Sequence, residues 1–98
     1  MNVVWRAQAE GDLDALTNYI AFDNPQAALR VYDAILATAD RLVTFPNSGR
    51  PGRLARTREL VVPGLPYIIV YTIIEEEVQI LTVYHTSRKW PKRLPIDE

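Results

Sequence analysis

The chain has 98 residues, the length of one domain with one hydrophobic core, so we expect a single domain over residues 1–98. Hydrophobic residues make up 48% of the sequence and charged residues 23%, a balance that excludes a largely disordered or fibrous chain. The formal net charge of −1 argues against a protein whose main role is to grip nucleic-acid phosphates, because such domains usually carry a basic excess.

The first half of the chain predicts a short strand followed by two helices. Residues 2–6 favour extended structure, and the apolar residues within 8–22 recur every three or four positions, as on one face of an amphipathic helix. Asn24 can cap a second helix, Pro25 suits its first turn, and the helical period continues to residue 44. The two helices are therefore expected to form a hairpin.

The second half predicts a loop at residues 45–53 and a mainly antiparallel sheet. Strands are predicted at residues 58–62, 67–74 and 78–85. Tyr67 and Tyr71 face the same side of the central strand, where they either pack in the core or stack on bases. Three consecutive glutamates at 75–77 indicate an exposed turn. Residues 87–98 are expected to be a loosely held tail.

The order β-α-α-β-β-β predicts an α+β fold, in which the helical hairpin packs on one face of a mainly antiparallel four-stranded sheet. Several classes of site are disfavoured. The chain has no cysteine and one histidine, and it lacks P-loop, Rossmann and nucleophile-elbow patterns, so we expect no metal and no cofactor. Its longest apolar stretch, residues 65–74, is too short for a membrane helix, and no signal peptide pattern opens the chain. We expect a cytoplasmic protein with no membrane partner.

Positive charge is concentrated in the second half of the chain, which holds eight basic residues against six acids. Its densest run is Arg50, Arg53, Arg56 and Arg58. Arginine forks bind phosphates and carboxylates, and the neighbouring glycines let a partner approach the backbone, so this run is a candidate binding surface. The alternative is a solvated loop whose arginines offset helix acids such as Asp33 and Asp40.

The only histidine belongs to a second candidate, the ending His85-Thr86-Ser87-Arg88-Lys89-Trp90-Pro91. Histidine exchanges a proton near neutral pH, as a metal-free RNase would require, alongside a cation that stabilises phosphate charge. Suitable side chain types are supplied by Arg58, Tyr71, His85 and Arg88, although nothing in their spacing shows that they converge. The alternatives are a histidine that hydrogen-bonds at a strand end and a Trp90 that anchors the tail.

Several short segments occur in a distinctive order along nearly the whole chain, from about residue 3 to residue 91. They are Asp12-Leu13, Tyr19-Ile20, Asn24-Pro25, Ala27-Ala28, Phe45-Pro46, Gly49-Arg50-Pro51, Arg58-Glu59-Leu60, residues 66–71 and His85-x-x-Arg88-x-Trp90-Pro91. Their order and spacing resemble the RelE/ParE superfamily of bacterial toxins from type II toxin-antitoxin modules. The resemblance implies the same β-α-α-β-β-β layout.

The resemblance is nearest to the ParE-like branch, whose members act on DNA gyrase. RelE-like members are instead ribosome-dependent, metal-independent mRNA endonucleases. Residues 58–60, 66–71 and 85–91 look ParE-like, and a pI of about 5.8 fits a protein target better than ribosomal RNA. The resemblance therefore implies growth arrest by inhibition of gyrase and a role in plasmid stability. The alternatives are an mRNA endonuclease that uses Arg58, Tyr71, His85 and Arg88, and an inactive or regulatory homologue.

The resemblance also implies a cognate antitoxin, which neutralises the toxin through an extended or helical C-terminal segment. Such a segment would order along apolar grooves beside the helical hairpin and pair with the loop arginines. The antitoxin, rather than this chain, would bind operator DNA. A gyrase inhibitor needs no catalytic residue, so we expect a target-binding surface made of Arg50, Arg53, Arg56, Arg58, His85, Arg88 and Trp90. Replacing Arg58 or Arg88 by alanine should then relieve toxicity and leave the fold intact.

Overall fold

A computed structural model describes residues 1–87, in which two helices pack against one five-stranded sheet. The elements are β1 (Asn2–Trp5), α1 (Ala7–Asp23), α2 (Pro25–Asp40), a 3-10 turn (Arg41–Val43), β2 (Arg50–Pro51), β3 (Arg58–Val61), β4 (Tyr67–Ile74) and β5 (Glu77–His85). The strand order is β1-β5-β4-β3-β2, with β1 parallel to β5 and the other neighbours antiparallel. The predicted α+β architecture is confirmed.

The sheet has one strand more than the predicted four. The additional strand, β2, lies inside the segment predicted as a loop, and pairs Arg50 with Glu59 and Pro51 with Arg58. Its two residues are too few to produce an alternating pattern in the sequence, and a proline is tolerated there because β2 is an edge strand. The sheet therefore extends directly into the arginine run.

Other element boundaries also differ slightly from the prediction, most clearly at the end of the second helix and at the glutamate turn. The second helix ends at Asp40 and tightens into the 3-10 turn before residue 44. The glutamate turn contains only Glu75 and Glu76, whose φ angles of 49° and 63° suit a two-residue hairpin connection, while Glu77 already belongs to β5. Strand β5 therefore begins one residue earlier, at Glu77, than the predicted strand at residues 78–85.

A single residue joins the two helices. The Asn24 backbone N–H donates to the Ile20 carbonyl at 2.9 Å and closes α1, while its side chain accepts from the Ala27 N–H at 3.0 Å and caps α2. Pro25 occupies the first turn of α2, where a missing N–H costs nothing. The predicted hairpin is confirmed. No helix within residues 1–87 is long and apolar enough to cross a membrane.

Apolar side chains cover both faces of the sheet. On the helix face, Leu13 and Ile35 from the hairpin pack with Tyr67, Tyr71 and sheet residues such as Ile80. This placement puts both tyrosines in the core, as the packing alternative predicted. A smaller cluster on the opposite face contains Ile68, Val70, Leu81 and Tyr84, with Leu54 packed against it. The segment after β2 thus covers the second face and carries two arginines of the run with it.

Candidate target-binding surface

Tyr71 in β4 fastens the loop that precedes β2, residues 46–49. Its side chain is fully buried, and its hydroxyl donates to the Pro46 carbonyl at 2.7 Å. The same oxygen accepts from the Gly49 N–H at 3.0 Å. The loop approaches so closely that a Cβ on Gly49 would lie 2.7 Å from the Tyr71 hydroxyl. Only glycine fits this position without displacing a core side chain.

Arg58 in β3 holds the same loop from the neighbouring strand. Its Nη1 donates to the Gly49 carbonyl at 2.6 Å and to the Asn47 carbonyl at 3.3 Å. Arg58 pairs with Tyr71 across β3 and β4, so both side chains emerge on the helix face. Half-buried in this position, Arg58 is a structural partner of loop 46–49 as well as a candidate target-binding residue.

The Glu59 side chain lies on the opposite face of the sheet and contacts two arginines of the run. Its side chain is only 4% exposed, Oε1 accepts from Arg50 Nη2 at 3.3 Å, and Oε2 accepts from the Arg53 backbone N–H at 3.1 Å. The Arg53 Nε lies 3.6 Å from the same Oε2. The charge partner of these two arginines is therefore a strand carboxylate, rather than the helix acids considered from the sequence.

Tyr84 contacts the side chain of Arg53 through its hydroxyl and its ring. The Arg53 Nη2 donates to the Tyr84 hydroxyl at 3.2 Å, and the guanidinium carbon lies 5.9 Å from the ring centroid, within the range of a cation–π contact. Because Tyr84 is itself buried, this contact joins the exposed guanidinium to the apolar cluster around Leu54. Arg53 is thus held by a carboxylate and an aromatic ring together.

Arg56 lies at the turn that leads into β3. It is exposed and has a φ of 64°, a left-handed conformation that costs a non-glycine residue roughly 1 kcal/mol. Its carbonyl accepts from the Thr72 hydroxyl at 2.6 Å, a bond that fixes the turn on β4. With Pro51, Arg58 and Ile73 it lines a shallow groove of about 290 Å³. Arg56 and Arg58 therefore share the β2 end of the sheet.

His85 is the last residue of β5, where it pairs with Tyr67 at the start of β4. Its Nδ1 accepts from the Ser87 N–H at 3.1 Å, so the ring proton of the neutral form is on Nε2. The Ser87 hydroxyl lies 2.8 Å from the same nitrogen, and the ring meets Tyr67 edge-on with centroids 5.3 Å apart. These contacts match the alternative of a histidine that hydrogen-bonds at a strand end.

The predicted site residues therefore fall into separate groups. Arg58 pairs with Tyr71 and His85 with Tyr67, so four residues of β4 and two strand spacings separate the backbones of Arg58 and His85 by about 16 Å. Arg88, Trp90 and the predicted tail from residue 88 onwards lie outside the described residues. Within residues 1–87, no three histidine or acidic side chains form a group that could hold a metal ion.

Two of the buried tyrosines, Tyr71 and Tyr84, make stability sensitive to alkaline pH. Burial raises the pKa of the Tyr71 phenol above its ordinary value of 10.0, against smaller lowering effects of the Gly49 N–H and the Arg58 charge. Burial also raises the pKa of Tyr84, and Glu59 adds to this while Arg53 and Arg50 oppose it. The folded state thus keeps both protons at a pH where the unfolded chain has lost them.

This difference gives a direction for the pH dependence. The contribution of the two phenols to the free energy of unfolding should be complete below about pH 10. It should be lost as the pH rises further, because the unfolded state then binds fewer protons than the folded state. Urea unfolding measured from about pH 8 to pH 11 should show a constant free energy of unfolding up to about pH 9.5 and a decline above it. A free energy that stayed level through pH 11 would contradict the role of these phenols.

Comparison with known proteins decides the family. The sequence model of the family described as "ParE toxin of type II toxin-antitoxin system, parDE" matches residues 3–90. The chain belongs to this toxin family. The toxin is 47% identical over 90 residues to "Putative toxin Y4kP" of Sinorhizobium fredii, an alignment covering 92% of this chain and 93% of the relative. The resemblance to the RelE/ParE superfamily is confirmed.

Further relatives carry names from both branches of the superfamily. The toxin is 38% identical over 86 residues to "Toxin RelE2" of Caulobacter vibrioides, covering 88% of this chain and 96% of the relative. It is also similar to a solved structure of the chromosomal ParDE TA system from P. aeruginosa, with a TM-score of 0.80 and 26% identity over 89% of this chain and 97% of that one. As a ParDE-type toxin, the chain has an antitoxin as its partner.

Two buried residues beneath the candidate surface were missed from the sequence as functional candidates. Glu59 was noted only within the Arg58-Glu59-Leu60 segment, and Gly49 only within Gly49-Arg50-Pro51 and as a glycine beside the arginine run. A signal for Glu59 was present, since it is the one acid among four arginines between residues 50 and 59. No comparable signal marks Gly49, because its need for a small side chain comes from Tyr71, which is 22 positions away.

Proposed function

We propose that the toxin inhibits or poisons DNA gyrase by binding it through the arginine run, and that it does not cut mRNA. The main support is the separation of the candidate nuclease residues. Arg58 and Tyr71 hold loop 46–49 by hydrogen bonds, whereas the backbone of His85, at the end of β5, lies about 16 Å from that of Arg58. A general base must lie within about 3.2 Å of the atom whose proton it removes, so catalytic groups have to converge on one substrate position. Among residues 1–87, the candidate nuclease residues do not converge in this way.

The state of Tyr71 supports the same choice. A tyrosine acts as a base only after it has lost its proton, and burial raises the pKa of this phenol. Its hydroxyl donates to a loop carbonyl and is enclosed by the core, so an RNA phosphate has no path to it. Within residues 1–87, the side chains that suggested an RNase are therefore accounted for by packing, by loop attachment and by a hydrogen bond at a strand end.

The arginines themselves suit a protein target. The side chains of Arg50 and Arg53 are 59% and 53% exposed although both contact Glu59, and Arg56 is exposed beside them. Held guanidinium groups of this kind recognise carboxylates on a partner surface. His85, Arg88 and Trp90 complete the surface that we propose for target binding. A toxin that acts on gyrase in this way works in the cytoplasm.

The proposal is tested by running two assays on the same purified toxin. One measures supercoiling and cleavage complexes of gyrase, and the other probes mRNA for cuts in a translating extract. We expect inhibited gyrase and intact mRNA, weaker inhibition by Arg50→Ala, and unchanged inhibition by the charge-matched control Arg30→Ala on α2. Cut mRNA with unaffected gyrase, abolished by His85→Ala, would establish the nuclease alternative instead. Expression without antitoxin that left growth unaffected would favour the regulatory alternative.

We propose that the antitoxin covers the outer side of the helical hairpin. Phe22 is 91% exposed and Leu29 is 65% exposed. Contact of large apolar side chains with water is unfavourable, and an exposed apolar patch often marks an interaction site. Leu29 and Tyr32 line a mainly apolar groove of about 340 Å³ together with Ala21 and Ala28. An apolar segment of the antitoxin that orders on binding would fill this groove, because folding on binding suits such a surface.

The hairpin assignment predicts a loss of antitoxin affinity without a loss of toxin stability. Leu29→Ser removes an exposed apolar side chain, so it should weaken binding of the antitoxin by about tenfold or more while leaving the melting temperature within about 2 °C of wild type. Isothermal titration of purified toxin with its antitoxin measures the change. An affinity equal to wild type would move the antitoxin to another surface.

A further inference from the structure

Glu59 is a buried acid placed beneath exposed cations. Its carboxylate is 4% exposed, and each of its oxygens accepts from a different arginine of the run. The backbone of Glu59 also pairs with that of Arg50 across β2 and β3. Arg53 is fixed a second time by the Tyr84 hydroxyl and ring. One carboxylate thus sets the relative position of two guanidinium groups that face solvent.

Stability alone does not account for an acid at this position. Removing a carboxylate from water carries a large desolvation cost, and exchange of a buried ion pair for a well-packed apolar side chain is often neutral or stabilising. Val70 is the cross-strand neighbour of Glu59, on a face that already carries an apolar cluster. A methionine would therefore pack here, yet it would leave the two arginines without a common partner.

We propose that Glu59 is a positioning residue of the toxin's target-binding surface, which holds the side chains of Arg50 and Arg53 ready for acidic groups of the target. The inference rests on the proposed function only in assigning these arginines to the target surface. Binding to a partner costs free energy for each long side chain that must be immobilised. Glu59 removes that cost for two arginines at once, since it orders them before the target arrives.

The first test measures order directly and needs no target. Nitrogen-15 relaxation of the arginine Nε–H groups is recorded for the wild type, Glu59→Met and Glu59→Gln, with exposed Arg30 on α2 as the internal reference for a mobile arginine. In wild type, we expect Arg50 and Arg53 to approach the order parameter of rigid groups, about 0.85, and in Glu59→Met we expect Arg50 to fall below about 0.6. Arg53 should lose less order, because Tyr84 still contacts its side chain. Arginines that remain as ordered as in wild type would overturn the inference.

The second test measures toxicity as the amount of expressed toxin that reduces the growth rate by half. Glu59→Met should raise this dose about tenfold, because two side chains must then be ordered on binding. The exposed turn variant Glu75→Gln removes one acidic charge and should match wild type. Arg50→Ala should weaken the wild-type toxin more than it weakens Glu59→Met, since an unheld arginine contributes less. A Glu59→Met toxin of wild-type potency, or an equal effect of Arg50→Ala in both backgrounds, would overturn the inference.

Melting curves of every variant separate positioning from folding. If Glu59→Met does not fold, Glu59→Gln is judged by the same two readings, because it keeps the volume and an acceptor oxygen while it removes the charge. Neither reading uses purified gyrase. Wild-type toxin that halts growth without inhibiting gyrase would therefore defeat the proposed function and still allow the role of Glu59 to be decided.

Discussion

Gly49→Ala is expected to lower the free energy of unfolding by about 3 kcal/mol, the sum of an overpacked contact and a broken buried hydrogen bond. The new Cβ would lie 2.7 Å from the Tyr71 hydroxyl, 2.8 Å from Tyr71 Cε1 and 3.1 Å from the Glu59 carbonyl. Tyr71 cannot turn away, because its ring is fully buried and its hydroxyl is bound to Pro46. Loop 46–49 must therefore move off the sheet.

Thermal unfolding measures this change against a matched glycine. A loss of about 3 kcal/mol corresponds to a melting temperature lower by about 15 °C in a domain of this size. Gly11→Ala adds the same methyl group inside α1, where no side chain or other element lies within 4 Å of the new Cβ, so it should raise stability by about 0.5 to 1 kcal/mol. Melting of Gly49→Ala within a few degrees of wild type would show that the loop does not depend on Tyr71.

Those parts of the fold with local causes were predictable from the sequence. The helical hairpin follows from the apolar period and from Asn24 and Pro25, which act on their immediate neighbours. Strand β4 has the predicted bounds because it is buried on both faces and is therefore apolar at nearly every position. Strand β2 was missed because its two residues form a strand only by pairing with β3, and nothing in the local sequence shows this pairing.

The candidate site was harder to predict than the fold, since the pleat of β3 divides residues that are adjacent in the sequence. Arg58 and Glu59 are consecutive, yet one faces the helices and the other the opposite side of the sheet. The sequence identified the arginine run as a group and gave no indication of which arginine holds a loop and which is presented to solvent. Pairing register and burial decide that division, and both depend on the assembled sheet.

The position of Arg58 in the sheet changes the result that we expect for Arg58→Ala. The sequence predicted lower toxicity with an intact fold, but Nη1 of Arg58 bonds two carbonyls of loop 46–49. Hydrogen bonds from a charged group contribute roughly 1.5–3 kcal/mol, so we expect the free energy of unfolding to fall by about 2 kcal/mol. Urea unfolding measures this loss, with Arg30→Ala on α2 as a control that removes the same charge from an exposed position and should change stability by less than about 0.5 kcal/mol.

Toxicity should fall in Arg58→Ala because of the loop as well as the lost charge. Loop 46–49 leads directly into Arg50, so a loosened loop displaces an arginine that is presented to the target. Arg58→Lys keeps the charge, but its side chain is one bond shorter and ends in an ammonium group, so it should not reach both loop carbonyls that Nη1 of Arg58 bonds. If Arg58 acts through the loop, the lysine variant should lose stability and toxicity together. A lysine variant with wild-type stability and no toxicity would instead assign Arg58 to direct contact with the target.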